Sequence, residues 1–408
     1  MRARAKRHRV AAAIVAVSLA TNGCARSVSP DNVSCSDAAP TDGSPPPDVS
    51  DGADVVVRVT QVGAGSEHTC VRLSDGTVSC WGYNLHGALG DGTMVNRWTP
   101  GVVVGLRGVQ RIAVGFAHNC AILVDGTVRC FGYNLFGQLG DGTTVDRPLP
   151  VAVQGLRCVD SVFAANLHTC ARVTDGTVRC FGHNATGELG DATTSTTQPT
   201  PVVATGLRGV AALAVEGSHA CASLLDLTVV CWGFNRFGQV GDGSTSTRLT
   251  PVSVSGLTAV VSLGVGVHHS CAALTDGTVR CWGQNNVGQL GDGTTLDRLT
   301  PTIVPGLTGV AELSLGGEHS CARLTDRTVR CWGSNLGGAL GDGSNAERHA
   351  PVAVAPLTDA VQVSAGLAHT CALRADGSVL CWGDNNGGQL GDGTTTSRFS
   401  PVRVVGLP

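Results

Sequence analysis

Lysine is all but missing from this 408-residue chain: it occurs once, at Lys6. Beyond the N-terminal leader there is therefore no lysine nucleophile, no Schiff-base lysine and no lysine for a phosphate-binding loop. An arginine-biased genome is the simpler account of that bias. Charge of either sign is sparse, at 14% of residues. Five of the 28 basic residues (Arg2, Arg4, Lys6, Arg7 and Arg9) fall in the leader, so the rest of the chain carries about eight acidic charges in excess. Phosphate binding needs clustered Arg and Lys, so no nucleic-acid partner is expected. The apolar stretch at 10–20 is too short to cross a membrane comfortably. No Gly-x-Ser-x-Gly elbow, His-Glu-x-x-His or Cys-x-x-Cys motif is present. No enzyme activity and no cofactor or resident metal is expected.

The leader has a basic start and an apolar middle, the pattern of an export signal. Gly23-Cys24 resembles the end of a lipoprotein signal, which makes Cys24 a candidate for lipidation, although Thr21 stands where a leucine is usual. Ordinary cleavage after Ala20 is the alternative, with a retained anchor behind it. The expected division is a signal peptide over 1–23, a Ser/Pro/Asp-rich tether over 24–54 and a folded body over 55–408. The tether cannot bury a core. An exported protein of the cell envelope or culture fluid is the expected product, reaching a membrane only through the lipid.

What the chain has in plenty is one stretch of about fifty residues, stated seven times. Its first cysteines are Cys70, Cys120, Cys170, Cys221, Cys271, Cys321 and Cys371. Each has a partner ten positions on, at Cys80, Cys130, Cys180, Cys231, Cys281, Cys331 and Cys381. Between Cys271 and Cys281 lies Thr275-Asp276-Gly277, a hairpin signal. A three-residue loop there pairs Leu274 with Thr278, and counting outward sets Cys271 opposite Cys281. Opposed residues of antiparallel strands are near enough for a disulfide, and export supplies the oxidising compartment. Seven cross-strand disulfides are the first reading, with free buried thiols as a rival. A histidine two positions before each first cysteine opens a further rival, a His-x-Cys metal set one ligand short of a closed zinc site. Those histidines are otherwise expected to bond the backbone at the strand entrance. Cys35 and Cys158 are left as a further candidate pair.

Each repeat contains four short strand signals, the pattern of a β-propeller blade. The expected fold is all-β: seven four-stranded antiparallel blades. The first repeat starts without a preceding Pro-Val-x-Val strand, and the chain ends with one at 401–407. That terminal strand is expected to pair with the first blade and close the ring.

The motifs over 269–274, Asp276-Gly277, Trp282-Gly283-x-Asn285 and Gly288-Gln289-Leu290-Gly291 resemble the repeat of the regulator of chromosome condensation superfamily. The resemblance covers all seven units and implies a seven-bladed propeller. Kelch and WD-type propellers are less similar. The cysteine pair in every blade departs from cytoplasmic members and points to exported bacterial ones, similar to the secreted β-lactamase inhibitory propeller type. The resemblance also implies guanine-nucleotide exchange on a small GTPase as an alternative function, discounted because no such substrate exists outside the cytoplasm. An envelope glycan-binding or hydrolytic propeller is a further alternative.

The repeated Asp of Gly-Asp-Gly is expected to bond its own turn rather than calcium. Symmetry breaks in the loop after aromatic-Gly. Blade 1 has Tyr83 and His86 there, blade 2 Tyr133 and Phe136, and blade 4 Phe234, Arg236 and Phe237. The chain's two tyrosines are both in this set. These loops should project from one face, where aromatic and Arg side chains make a surface for a protein partner, an exported enzyme among the candidates. The chain is expected to act as a monomer, and no single unusual polar cluster stands out among the repeats.

Overall fold

The computed structural model describes residues 56–408. The expectations placed on the leader, the tether, Cys24 and Cys35 lie outside the described residues. Those described form seven four-stranded antiparallel sheets, each built from consecutive strands. In the first blade these are Val59–Ala64, His68–Leu73, Val78–Gly82 and Arg97–Val102. The others span 109–152, 159–203, 210–258, 260–303, 310–353 and 360–403. The innermost strand of each lines an axial channel. The fourth strand forms the rim, with a proline at its exposed edge, as at Pro100 and Pro150. Proline has no N–H to offer, which blunts the edge against further pairing.

Hairpin arithmetic places the cysteines correctly. Cys271 lies opposite Cys281, and Leu274 N–H donates to the Thr278 carbonyl at 2.9 Å. All seven pairs are disulfides, the Cα atoms of Cys271 and Cys281 lying 4.1 Å apart. No thiolate of these fourteen is left for a metal. The Asp-Gly turn is stapled by its own aspartate: Asp276 Oδ1 accepts from Thr278 N–H at 2.8 Å and from its hydroxyl at 2.7 Å. In blades 4 and 6 the turn keeps its shape although Leu227 and Arg327 replace glycine, and both sit at positive φ, 70° and 68°. A side chain in that region costs roughly 1–2 kcal/mol.

Ring closure differs from the sequence expectation. The last strand, Arg398–Arg403, pairs with Val379–Gly383 of its own blade, Cys381 facing Val402. The repeat unit thus runs from inner strand to rim strand, and the C-terminal strand is the ordinary fourth strand of blade 7. The ring closes by packing instead. Val404 and Leu407 join a cluster with Val59, Val62 and Trp81 of blade 1.

The core sits between blades. Seven hydrophobic clusters among the described residues occupy the seven seams. In each, the disulfide of one blade packs against the aromatic side chain of the next, as Cys70–Cys80 against Phe131. Trp282 also donates Nε1–H to the Gln239 carbonyl of the preceding blade at 2.9 Å. A backbone bond crosses every seam further out, from Gly92 N–H to the Pro148 carbonyl and so on round to Gly393 and Trp98.

The recurring histidines latch these seams. Their partners are the side chains just after the histidine of the next blade, not the backbone at the strand entrance. Nε2 of His68 lies 2.9 Å from Asn119 Oδ1, and the same contact links His118 to Thr169, His219 to Ser270, His269 to Ser320, His319 to Thr370 and His369 to Thr69. At the seventh seam Ala220 replaces the hydroxyl, and the buried His168 Nε2 has no hydrogen-bond partner.

Burial in the seams holds the imidazoles neutral, His68, His168 and His319 titrating near 4 and His118, His269 and His369 near 3. Unfolding exposes them at an ordinary pKa of about 6.5. Below that value the unfolded chain binds more protons, so stability is lost as pH falls from about 6.5 to about 4 for three of the rings and to about 3 for the other three, by up to about 1.4 kcal/mol per pH unit for each ring. Guanidinium titrations are expected to show a midpoint at pH 5 well below that at pH 7. Equal midpoints would refute the neutral latch. Ala220→Ser restores the missing partner and should add about 1 kcal/mol of unfolding free energy; no gain, or a loss, would show that the seventh seam cannot form the bond.

Candidate functional site

Antiparallel connectivity puts two kinds of connection at one end of the ring: the turn between first and second strands, and the long loop between third and fourth. Each long loop is held from inside. Asn134 Oδ1 accepts from Leu139 N–H at 2.9 Å, while its Nδ2 donates to the Thr143 and Val145 carbonyls. Asp141 Oδ1 accepts from Thr143 N–H at 3.0 Å, and Oδ2 accepts from Arg147 Nε at 2.8 Å. Desolvation opposes the charge, but these hydrogen bonds and Arg147 hold the carboxyl of Asp141 below its ordinary range. The recurring aspartates are loop staples, which leaves the tip positions free to vary.

The sequence-selected side chains do gather at this end, in two groups. In the first, the His86 and Tyr133 ring centroids are 4.5 Å apart, those of Tyr133 and Phe136 6.3 Å, and those of Phe136 and His183 4.9 Å. His86 Nδ1 is 2.8 Å from Asp146 Oδ2 of blade 2. In the second, Phe234 and Phe237 are 6.2 Å apart and both meet His268, at 5.7 and 5.1 Å. The rings are half-buried, while Arg236 is exposed. Tyr83 joins the first group through a shared cavity of about 320 Å³ between blades 1 and 2, lined also by Leu85 and Phe116. Leu85 is 54% exposed, Leu135 56% and Leu336 72%, all on this same face.

Several members escaped sequence reading. His183 stands at an aromatic tip position and His268 in the turn between the first two strands of blade 5, and only the ring contacts give them a role. Phe116 and Leu367 come from the short turns near the axis. Those turns almost seal the channel at this end: Ser66 N–H donates to the Phe116 carbonyl, Phe116 N–H to Ala165, and Leu367 N–H to Gly65. A Cβ on Gly115 would lie 2.6 Å from the Ala165 carbonyl oxygen, so no larger residue fits that hoop. Glu216 stands in the same ring, and burial pushes its carboxyl up to about 8. The turns narrow the channel at the loop face to a space of about 20 Å³.

The RCC1-like domain family matches residues 159–407, and the regulator of chromosome condensation (RCC1) repeat matches 59–88 with 109–138 and, in a second description, 75–122 with 125–172. The chain belongs to the RCC1-like domain family. Its fold is shared with human WBSCR16, which is 23% identical with a TM-score of 0.70 over 78% of this chain and 87% of that one. Prp20p from Saccharomyces cerevisiae is 19% identical with a TM-score of 0.70, over 85% of this chain and 87% of that one. That protein is described together with its binding to Gsp1p and histones. Yeast RCC1 (Prp20) bound to Kap60 is likewise 19% identical, with a TM-score of 0.69 over 85% of each chain. At these identities the likeness concerns the propeller alone. No curated protein matches the chain in sequence.

Blade 3 of this RCC1-like propeller breaks symmetry in a way the repeats did not advertise. It has Glu188 where blades 2, 4, 5 and 7 have glutamine, and His183 where blades 1, 2 and 4 have Tyr or Phe. His183 Nδ1 lies 2.9 Å from Glu188 Oε1, and Thr186 donates N–H to Oε2 and its hydroxyl to Oε1, both at 2.8 Å. The carboxylate is buried but fully engaged, and the imidazole meets Phe136 edge-on. No hydroxyl or thiol nucleophile bonds that imidazole among the described residues, so the dyad braces the aromatic group. Desolvation would raise the Glu188 carboxyl, but hydrogen bonds from His183 and Thr186 and the nearby His168 outweigh it, and it sits below its ordinary range. A carboxyl so lowered contributes stability above its unfolded pKa and loses it as pH falls. Glu188→Gln should therefore melt lower than the parent at pH 7, with the gap closing towards pH 3. A gap that is absent at pH 7, or constant with pH, would rule out a braced charge.

Proposed function

We propose that this RCC1-like propeller is an exported, non-enzymatic binding protein that holds a protein partner on its loop face. The carrying observation is the concentration of rings there: both tyrosines and three phenylalanines, half-buried in two groups and flanked by exposed leucines. Rings fixed by their neighbours lose little entropy on binding and make good anchors. Seven disulfides suit an oxidising compartment, and the leader suits export, with Cys24 as the lipid attachment site and the tether holding the ring off the membrane. The chain acts as a monomer in this reading, and an exported enzyme is a fitting partner.

The test compares two baits, the mature chain and the same chain with Ala at Tyr83, Tyr133, Phe136, Phe234 and Phe237, each exposed to envelope extract and culture fluid. Circular dichroism melts establish that both are folded. The expected outcome is one protein retained by the first bait and lost by the second, its purified form binding at least about 100-fold more weakly to the variant. Equal retention by two folded baits would sink the proposal.

A further inference from the structure

The cavity between blades 1 and 2 narrows the chemistry of the partner, an inference that rests on the binding face proposed above. Its walls are mainly rings: Tyr83, Tyr133, Phe116 and Phe136. No arginine lines it, and its two imidazoles are occupied. Buried His68 is held neutral, titrating near 4, and its Nε2 is bonded to Asn119. His86 is engaged with Asp146. The formal charges facing the cavity are acidic. Glu67 lines it and is exposed. Its partial burial and the neighbouring Asp384 both raise the Glu67 carboxyl above its ordinary range. Asp146 stands behind His86, and its field reaches the Tyr133 hydroxyl. Ring faces carry negative quadrupole charge and attract cations. Rings and carboxylates together, with no arginine or lysine among them and both imidazoles already bonded, are the complement of a positive group. The volume, about 320 Å³, is at the small end for ligand pockets and suits one long side chain.

A second cavity of about 320 Å³ opens across the same face, between blades 5, 6 and 7. It also has an acid, Glu318, but its walls are Val267, Leu336 and Leu367, with no tyrosine or phenylalanine. The combination of rings and carboxylates belongs to the blade 1–2 cavity.

We infer that this cavity receives a single arginine or lysine side chain of the protein partner, the cation lying among the rings of Tyr83, Tyr133 and Phe116 with Glu67 as its counter-charge. The rest of the loop face then supplies apolar contact around one charged anchor.

The two tyrosines of the chain both line the cavity. Fluorine NMR of the mature chain labelled with 3-fluorotyrosine therefore gives two resonances, and both report on this site. The probes are N-acetyl-arginine amide, its neutral isostere N-acetyl-citrulline amide and N-acetyl-tryptophan amide, all at one ionic strength. Expected are saturable shifts of both resonances with arginine, binding about tenfold weaker with citrulline, and arginine binding weakened about fivefold in Glu67→Gln at an unchanged melting temperature. Citrulline within about twofold of arginine, tryptophan preferred over arginine, or no saturable shift with arginine would each overturn the assignment. A cavity that prefers tryptophan overturns the cation and leaves the partner face standing, since retention on the unsubstituted bait does not depend on which side chain fills the pocket. Failure of the partner face itself appears in the capture experiment as equal retention by both baits.

Discussion

Everything in this molecule depends on the seam between adjacent blades. A lone four-stranded sheet of this sequence would leave apolar residues bare on both faces. Stacked in a ring, each sheet buries them against its neighbours, at roughly 25 cal/mol per Å² of apolar surface. The disulfides do not do this job. Each links two strands of one hairpin, ten residues apart, and so restrains a short loop. They present rigid, buried surfaces at fixed heights, and the aromatic side chain of the next blade rests on them. Closure between first and last blades uses the kinds of contact found at other seams, with Thr69, Trp81 and Val62 meeting His369, Gln389 and Gln362.

A regular scaffold yields an irregular face because shape and identity are separated within each loop. The buried Asn and Asp, with the Arg outside, hold the loop backbone in nearly the same form from blade to blade. The tip side chains take no part in that network and can differ. Aromatic tips therefore accumulate over blades 1, 2 and 4 without disturbing the ring, while blades 5 to 7 carry Gln284, Ser334 and Asp384.

Blade 3 is where the rules loosen together. It is one residue longer than the other repeats and has Ala192 at positive φ, Gln198 in place of the rim arginine, and the unlatched seam at Ala220. It also carries a buried glutamate, Glu188, whose backbone carbonyl still receives Trp232 Nε1–H at 3.0 Å. The seam persists on packing, the indole bond and the backbone bond from Ala192 N–H to the Leu249 carbonyl where a hydroxyl is missing, and the Glu188–His183 pair turns the vacated symmetry into support for Phe136.

Much of the architecture was legible in the residues. The period gave the blade count, and the Asp-Gly turn gave the disulfide register, because a hairpin of defined loop length permits one pairing and both partners lie within ten residues. The aspartate staples were legible for the same reason. The aromatic tips could be picked out by their departure from the repeat. What tertiary structure decided lies across the seams. The histidine partners sit on the next blade, the last strand completes its own sheet, and His183 and His268 join rings chosen from other loops. These contacts depend on how far each blade is rotated against its neighbour, and a one-dimensional period carries no record of that angle.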